Sequence, residues 1–297
     1  MSTTVPVVHD VPAIVAGLCD DAAVFPPGLA PLPDAVRAYR ERQDTWYADL
    51  VGPLVLAAAA LPSLGPLLVA GAAPLPLSVT LPGGPRDLPG VLAGCATLPV
   101  ELRSVEVAVP AGLAPGDFLD ELAAALPQDG AVEVYVEVPR DQARAAILDA
   151  VTSSAGRYRA KFRTGGVAAA LYPDEAELAE ALAAVVAGGV SFKATAGLHR
   201  AVRNTDQETG FEQHGFVNVL LATDALVRGA GAPEVRELLA ERDGETVAGL
   251  VRDLDPRQVA AARAAFTSFG TCSILDPRDD LVTLAILAPP SPDGARR

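Results

Sequence analysis

Two lysines carry the chemistry that this sequence offers. Lys161 and Lys193 are the only lysines in the chain, and all the others of its 23 Lys and Arg residues are arginines. Arginine stays charged, whereas a desolvated lysine can lose its proton and attack a carbonyl carbon. A position still occupied by lysine in so arginine-biased a chain reads as one where a guanidinium fails. The competing reading is a pair of chance survivors or buried structural amines, and it has to explain why both fall at equivalent places. Each lies near the end of an apolar run that closes in a Thr/Gly turn, Tyr158-Arg-Ala-Lys-Phe-Arg-Thr-Gly-Gly166 and Val190-Ser-Phe-Lys-Ala-Thr-Ala-Gly-Leu-His-Arg200. Such runs predict strands. Two amines held close on adjacent strands disfavour each other's charge, and burial lowers both from the reference of about 10.4. One of them is therefore expected to be neutral near pH 7.

Other polar residues gather around the same strands. Alternation puts Arg163 on the same face as Lys161, where it could receive a carboxylate or phosphate, or pair with Glu137 or Glu106. His199 directly follows the Lys193 strand and is a candidate for substrate binding or acid–base work. His214 reads equally well as a satisfied structural histidine. Neither histidine has a convincing third partner, so no metal site and no cofactor are expected. Asp20 and Asp21 either reach the same site or serve as caps and ion-pair partners. Trp46 and Tyr47 read as packing residues.

The elements that must position these groups alternate. Short apolar or β-branched runs occur at Asp20–Phe25, Gly52–Ala58, Pro76–Pro82, Ser104–Pro110 and Ala131–Pro139, followed by the two lysine strands, Phe216–Ala222 and Ser268–Ile274. Helical stretches are predicted at Val11–Cys19, Pro33–Asp44, Asp87–Cys95, Asp117–Leu126, Arg140–Ser153, Asp174–Ala187, Ala232–Leu239, Pro256–Phe266 and Pro277–Leu287. Strand–helix alternation with short connections is the pattern of βα units and a parallel sheet. The fold class expected is α/β, a (β/α)8 TIM-type barrel spanning 1–297, with an N-terminal extension and an insertion at 200–266 after the seventh strand. Nine strand candidates exceed the eight a barrel needs, so Phe216–Ala222 is assigned to the insertion. The tail 289–297 reads as disordered. In such a barrel the site lies at the C-terminal ends of the strands.

Composition bounds the rest. A net charge of −14 and a sequence pI near 4.6 argue against nucleic acid or an anionic membrane surface as partner. The three cysteines, Cys19, Cys95 and Cys272, are widely spaced and include no CxxC, which suits a reducing cytoplasm. No signal peptide is apparent. The apolar run Leu54–Ala73 is interrupted by Pro62 and Pro66, and so reads as a strand and helix rather than a membrane span. A homo-oligomer is possible, although no segment identifies its face.

The two lysine strands resemble those of deoxyribose-phosphate aldolase and its class I, Schiff-base-forming aldolase relatives. Lys161-Phe-Arg-Thr-Gly-Gly-Val-Ala168 resembles the family's Schiff-base strand, and Phe192-Lys-Ala-Thr-Ala-Gly-Leu-His-Arg200 its next strand. Phe269-Gly-Thr-Cys-Ser273 resembles the final strand. Val105-Glu-Val-Ala-Val-Pro110 is similar to the strand that carries the catalytic acid, and Val134-Tyr-Val-Glu-Val138 to the one after it. The resemblance implies that Lys161 forms an iminium, that Lys193 is the second amine, and that Glu106 shuttles protons. It also implies substrate-binding roles for Arg163, Thr164, Gly165, Glu137, Thr195, Gly197, His199, Gly270, Thr271 and Ser273. The family's Asp is Glu106 here, its Gly-Gly after the second lysine is Ala196-Gly197, and its polar residue after Thr-Gly is Gly166. Gly165, Gly197, Gly270, Thr271 and Ser273 could still donate to a phosphate, a case that Leu198 and Cys272 weaken; with these departures and an insertion that could cover the mouth, the family's own substrate is not expected. The function implied is a lyase or aldolase acting on a small carbonyl compound, phosphorylated or not. Two alternatives stand beside it: an iminium-dependent dehydratase or isomerase, and a non-catalytic barrel binding an anionic small molecule.

Overall fold

The computed structural model describes residues 11–69, 71–127, 130 and 132–290. Eight strands close into a barrel in which every neighbouring pair is parallel. They are β1 (Cys19–Asp21), β2 (Val51–Ala57), β3 (Leu75–Leu81), β4 (Val100–Ala108), β5 (Glu133–Glu137), β6 (Arg159–Arg163), β7 (Phe192–Thr195) and β10 (Phe266–Thr271). A two-residue hairpin, β8 (Asn204–Thr205) with β9 (Glu212–Gln213), stands outside the barrel. The chain is a (β/α)8 barrel. Helices α1 (Leu32–Arg42), α2 (Leu61–Leu64), α3 (Leu88–Ala96), α4 (Pro115–Ala125), α5 (Arg144–Thr152) and α6 (Glu175–Ala187) occupy the connections before β7. Four more, α7 (Phe216–Val227), α8 (Ala232–Ala240), α9 (Gly244–Arg252) and α10 (Pro256–Ala265), lie between β7 and β10, and α11 (Leu275–Thr283) closes the fold.

The strand sequences divide polar from apolar in an unusual way. On β4 to β7 one set of alternating residues is Ser104, Glu106, Tyr135, Glu137, Lys161, Arg163, Lys193 and Thr195, and this set lines the barrel. The intervening Val105, Val107, Val134, Val136, Ala160, Phe162, Phe192 and Ala194 are buried in the layer between barrel and helices. Period-two alternation thus puts the apolar core outside the barrel and its charges inside. Phe192 stacks on Phe266 at 5.0 Å between ring centroids, and Phe269 stacks on Phe216 of α7 at 4.8 Å. The second contact anchors the long connection onto the barrel wall.

Several predicted elements differ from the observed ones. Val11–Cys19 forms a single turn rather than a helix: Val15 and Ala16 N–H both bond to Pro12 O, but Gly17, at φ +60°, turns its N–H to Asp49 O. The first strand ends at Asp21 instead of Phe25, because Ala22 N–H bonds to Thr271 O and Phe25 folds back onto Ala22 O. Phe216–Ala222 is no strand but the first part of α7. Ten of that helix's twelve residues are buried, so its apolar positions run on without the 3.6-residue rhythm that would mark a surface helix. The last strand begins at Phe266, two residues early, and α11 begins at Leu275. Helix α9 was not predicted, although Asp243 caps it by accepting from Glu245 and Thr246 N–H.

The 200–266 segment supplies the hairpin and α7 to α10. The expected disordered tail lies outside the described residues from 291 onward. The Leu54–Ala73 run divides into β2 and short helical turns, and no helix among the described residues is long and apolar enough to cross a membrane.

One buried amide ties this segment together. Asn218 accepts from Arg203 N–H at 2.9 Å and donates to Leu238 O at 2.7 Å and Glu241 O at 2.8 Å. Asn218→Ala strands three backbone groups, and with about 1 kcal/mol for each lost bond it should cost roughly 3 kcal/mol in denaturant unfolding. A loss below 1 kcal/mol would show that water replaces the amide and that the segment is not fastened there.

Candidate functional site

Register brings the two lysines side by side. Lys161 and Lys193 are paired on β6 and β7, Glu137 of β5 pairs with Lys161, and Ser268 of β10 pairs with Lys193. Across the barrel, β4 contributes Glu106 and β1 contributes Asp20. The result is a chain of alternating charges. Asp20 Oδ2 lies 2.6 Å from Lys193 Nζ, which lies 2.6 Å from Glu106 Oε1. The other oxygen, Glu106 Oε2, lies 2.8 Å from Lys161 Nζ, which lies 2.9 Å from Glu137 Oε2. Glu137 Oε1 then meets Arg163 Nε at 3.4 Å. Glu106 therefore bridges both amines with separate oxygens.

Hydroxyl groups complete the inner end. Ser78 donates to Glu106 Oε1 at 2.9 Å and exchanges a second bond with Ser104 at 2.7 Å. Ser268 donates to Asp20 Oδ2 at 2.8 Å. The Lys193 ammonium also sits 5.2 Å from the Tyr135 ring centroid, a cation–π distance. The other Asp20 oxygen fills the space that a Cβ at position 52 would take, so Gly52 is required for this carboxylate to enter the barrel. Next to it in sequence, Asp21 pairs with Arg42 of α1 and accepts from Ala23 N–H. Exposure grades along the chain of charges: the Lys193 side chain is 2% exposed, that of Lys161 5%, and that of Arg163 41%.

Proton affinities follow from this arrangement. Burial by itself would lower Lys161, but Glu106 and Glu137 outweigh it and hold the amine above the ordinary lysine range. Burial likewise opposes, and Asp20 and Glu106 overcome, for Lys193, which is also raised. Glu106 would be raised by burial, yet the two ammonium groups bring it well below the usual carboxylate range. Glu137 is lowered in the same way by Lys161 and Arg163. Asp20 is the exception: burial, helped by the charge of Glu106, raises it despite Lys193 and Ser268. The expected neutral amine is thus not found: both lysines are held as ammonium ions. Mutual repulsion of two lysines was weighed without the carboxylates interleaved between them, and each Nζ here meets two carboxylates.

The rim residues are placed less openly than anticipated. Thr164 donates its hydroxyl to Ala196 O at 2.6 Å, and Thr271 donates to Ser273 O at 2.9 Å. Gly165 and Gly197 pack directly together: a Cβ on Gly165 would lie 2.7 Å from Gly197 Cα. Gly197 itself, at φ +74°, has a left-handed backbone suited to glycine. Ser273 Oγ accepts from Asp276 N–H at the start of α11, and Gly270 lies against Thr195. His199 Nδ1 stands 3.7 Å from Cys272 Sγ at the ends of β7 and β10, and burial lowers its proton affinity. A shallow depression beside the rim is lined by Arg140, Arg144, Phe162, Arg163 and Glu177, and a larger one of about 200 Å³ opens at the opposite end near Glu133 and Arg159. Lys161 and Lys193 line neither.

His214 lies elsewhere. It is fully buried, Nε2 bonds to Pro173 O at 2.9 Å and Nδ1 faces Arg203 Nη1 at 3.2 Å. A carbonyl requires a donor and a guanidinium an acceptor, so the neutral Nε2–H tautomer satisfies both. It fastens the hairpin segment to the β6–α6 connection, whose Tyr172 also packs on Phe211 of the hairpin. No group of three or more His, Cys, Asp or Glu side chains among the described residues is arranged to hold a metal ion. Asp20 reaches the lysines, whereas Asp21 turns to Arg42. Ser78, Ser104, Ser268 and Tyr135 were missed. Their one signal was a polar residue at alternate positions of otherwise apolar strands, which only the barrel register makes legible.

Compared with known proteins, the chain matches no protein-family model and no curated sequence. Its chemistry must therefore be argued from this geometry.

The buried histidine predicts an acid sensitivity. Burial, with Arg203 adding to it, pushes His214 down to about 4 from an unfolded value near 6.5. The unfolded chain then binds the proton first, so the contribution of His214 is present above pH 6.5 and is lost as pH falls toward 4. The full shift is worth about 3 kcal/mol. The stability difference between the native chain and His214→Gln should shrink by that order between pH 7 and pH 4.5; a difference independent of pH would mean that folding leaves the proton affinity of His214 unchanged.

Proposed function

We propose that this barrel is a Schiff-base-forming lyase or aldolase that acts on a small carbonyl compound. The observation that carries the reading is the pair of buried lysines sharing Glu106, each with a second carboxylate in contact. Amines so placed have proton acceptors at hydrogen-bond distance, the requirement for turning an ammonium into a nucleophile. Lys161 is the better candidate for attack, because its second partner, Glu137, is partly exposed and leads on to the exposed Arg163, whereas both partners of Lys193 are fully buried. Lys193 lies deeper, between two carboxylates and over Tyr135, and serves as the fixed positive charge.

The steps balance as follows. A carboxylate, Glu106 or Glu137, takes one proton from Lys161. The free amine adds to the carbonyl carbon, and the same carboxylic acid returns its proton to the departing hydroxyl, so water leaves and an iminium remains. This cation accepts the electron pair of the bond next but one to nitrogen, between the α and β carbons. With the proton of a β-hydroxyl taken by Glu106, that bond breaks to release an aldehyde and leave an enamine. Protonation of the enamine and addition of water then free the second product and the lysine. Run in reverse, the sequence forms a carbon–carbon bond.

Non-catalytic binding of an anion by the lysines has the charge balance against it. Asp20, Glu106 and Glu137 place three acids around two amines, which leaves no surplus positive charge at Lys161 or Lys193 for a ligand. An iminium used for dehydration or isomerisation keeps the same first steps and differs only in which bond breaks.

Borohydride trapping tests the proposal. Incubation with small aldehydes and ketones followed by reduction should add one substrate residue less the carbonyl oxygen, as a secondary amine on Lys161. Lys161→Arg should abolish the adduct. Glu106→Gln should reduce its rate by about 10²-fold or more, in keeping with loss of a proton-transfer group. An adduct on Lys193 would exchange the two roles. No adduct from any carbonyl with the folded protein would remove the iminium reading.

A further inference from the structure

Resting on the iminium reading, we infer that the substrate carries a carboxylate, bound by Arg163, and that the preferred class is an oxo acid rather than a sugar phosphate or a neutral aldehyde.

Three observations converge on it. First, Arg163 stands two residues after Lys161 on the same strand face, so its Cα is about 6.6 Å from that of Lys161 toward the rim. Its long side chain can therefore reach a group attached to a carbonyl at Lys161 Nζ. Second, only Nε of Arg163 has a protein acceptor, the 3.4 Å contact to Glu137, and none of the described residues accepts from its two terminal amino groups. The side chain is also 41% exposed, unlike the cations further in. A planar pair of N–H donors with no partner suits a bidentate carboxylate. Third, several of the groups that could surround a phosphate are already engaged. Thr164 and Thr271 spend their hydroxyls on backbone carbonyls, Gly165 and Gly197 press against each other, and Cys272 faces His199. A phosphate wants several donors on three oxygens, and one guanidinium supplies fewer than that.

Glu137 gives the contact a further use. Its two oxygens bridge Lys161 and Arg163. A substrate carboxylate arriving at Arg163 brings a second negative charge beside Glu137, which raises the proton affinity of that residue. The proton of Lys161, 2.9 Å away, is then drawn to Glu137 when an acidic substrate is present. Binding would thereby generate the neutral amine that attack on the carbonyl requires.

The test uses the same trapping with three probes on the full chain: pyruvate, propanal and dihydroxyacetone phosphate. Pyruvate should give the Lys161 adduct at about tenfold lower concentration than propanal, and the phosphate ester should show no advantage over propanal. In Arg163→Gln the preference for pyruvate over propanal should fall by about tenfold, to near parity, and Arg163→Lys should restore part of it. Equal trapping of pyruvate and propanal by the native chain, or a preference for the phosphate ester, would overturn the inference while leaving the iminium in place. So would an unchanged preference in Arg163→Gln. If none of the three probes is trapped, nor any other carbonyl, the iminium reading falls and this one with it.

Discussion

Glu106 lies between two ammonium groups inside a barrel that excludes water from all three. The penalty for burying an ion is several kcal/mol even after relaxation, and only close, well-bonded partners offset it. Glu106 has such partners on both oxygens, with Ser78 as a third donor. Remove the carboxylate and two positive charges remain buried a few ångströms apart. Remove either lysine and an anion is left in the same position. The site is therefore held together by mutual need, and the strand register that presents these residues is tied to their charge. An arginine at either lysine position would bring a larger, planar head into a space shaped for a compact ammonium with three donors.

This constraint also explains why the hydrophobic core lies where it does. Because the interior positions of β4 to β7 are spent on charged and hydroxyl groups, apolar burial is concentrated on the outer faces of the strands. Phe162, Phe192, Phe266 and Phe269 do there what branched aliphatic layers do inside many barrels. The long segment between β7 and β10 belongs to the same solution. Its helix α7 carries Phe216 onto Phe269, and a helix buried on nearly every side must itself be apolar all round.

Sequence patterning made the barrel legible for a simple reason. Strand and helix alternate with Pro and Gly at the turns, and seven of the eight barrel strands announce themselves as short apolar runs. The lysines were legible because every other basic residue is an arginine. What sequence could not supply was depth. Asp20 and Asp21 are adjacent and identical in type, yet one enters the barrel beside Lys193 and the other turns outward to Arg42, a choice made by strand pleat and by the missing side chain at Gly52. Phe216–Ala222 failed for the opposite reason: complete burial erases the periodicity that distinguishes helix from strand. The charge state of the lysines failed because it depends on carboxylates from three other strands, Asp20, Glu106 and Glu137, brought to within 3 Å of the amines by the barrel's register and closure.

The distribution of charge bears on how an acidic substrate could be chosen by so acidic a protein. A net charge of −14 repels anions at long range, but salt at physiological strength screens that repulsion over about 8 Å. Selection must then be local. Along the chain of six charged groups, the inner five contain three acids and two amines, so they attract no anion. Arg163 is the sixth and the exposed one, and it alone makes the series neutral. On the proposed reading, an anion bound there brings the total to one negative charge, and a proton passed from amine to carboxylate leaves that total unchanged while it neutralises the acid that lies beside the anion. In this arrangement the resting state is stable because both lysines are charged. On the proposed reading, an acidic substrate makes the reactive state easier to reach by supplying charge beside Glu137.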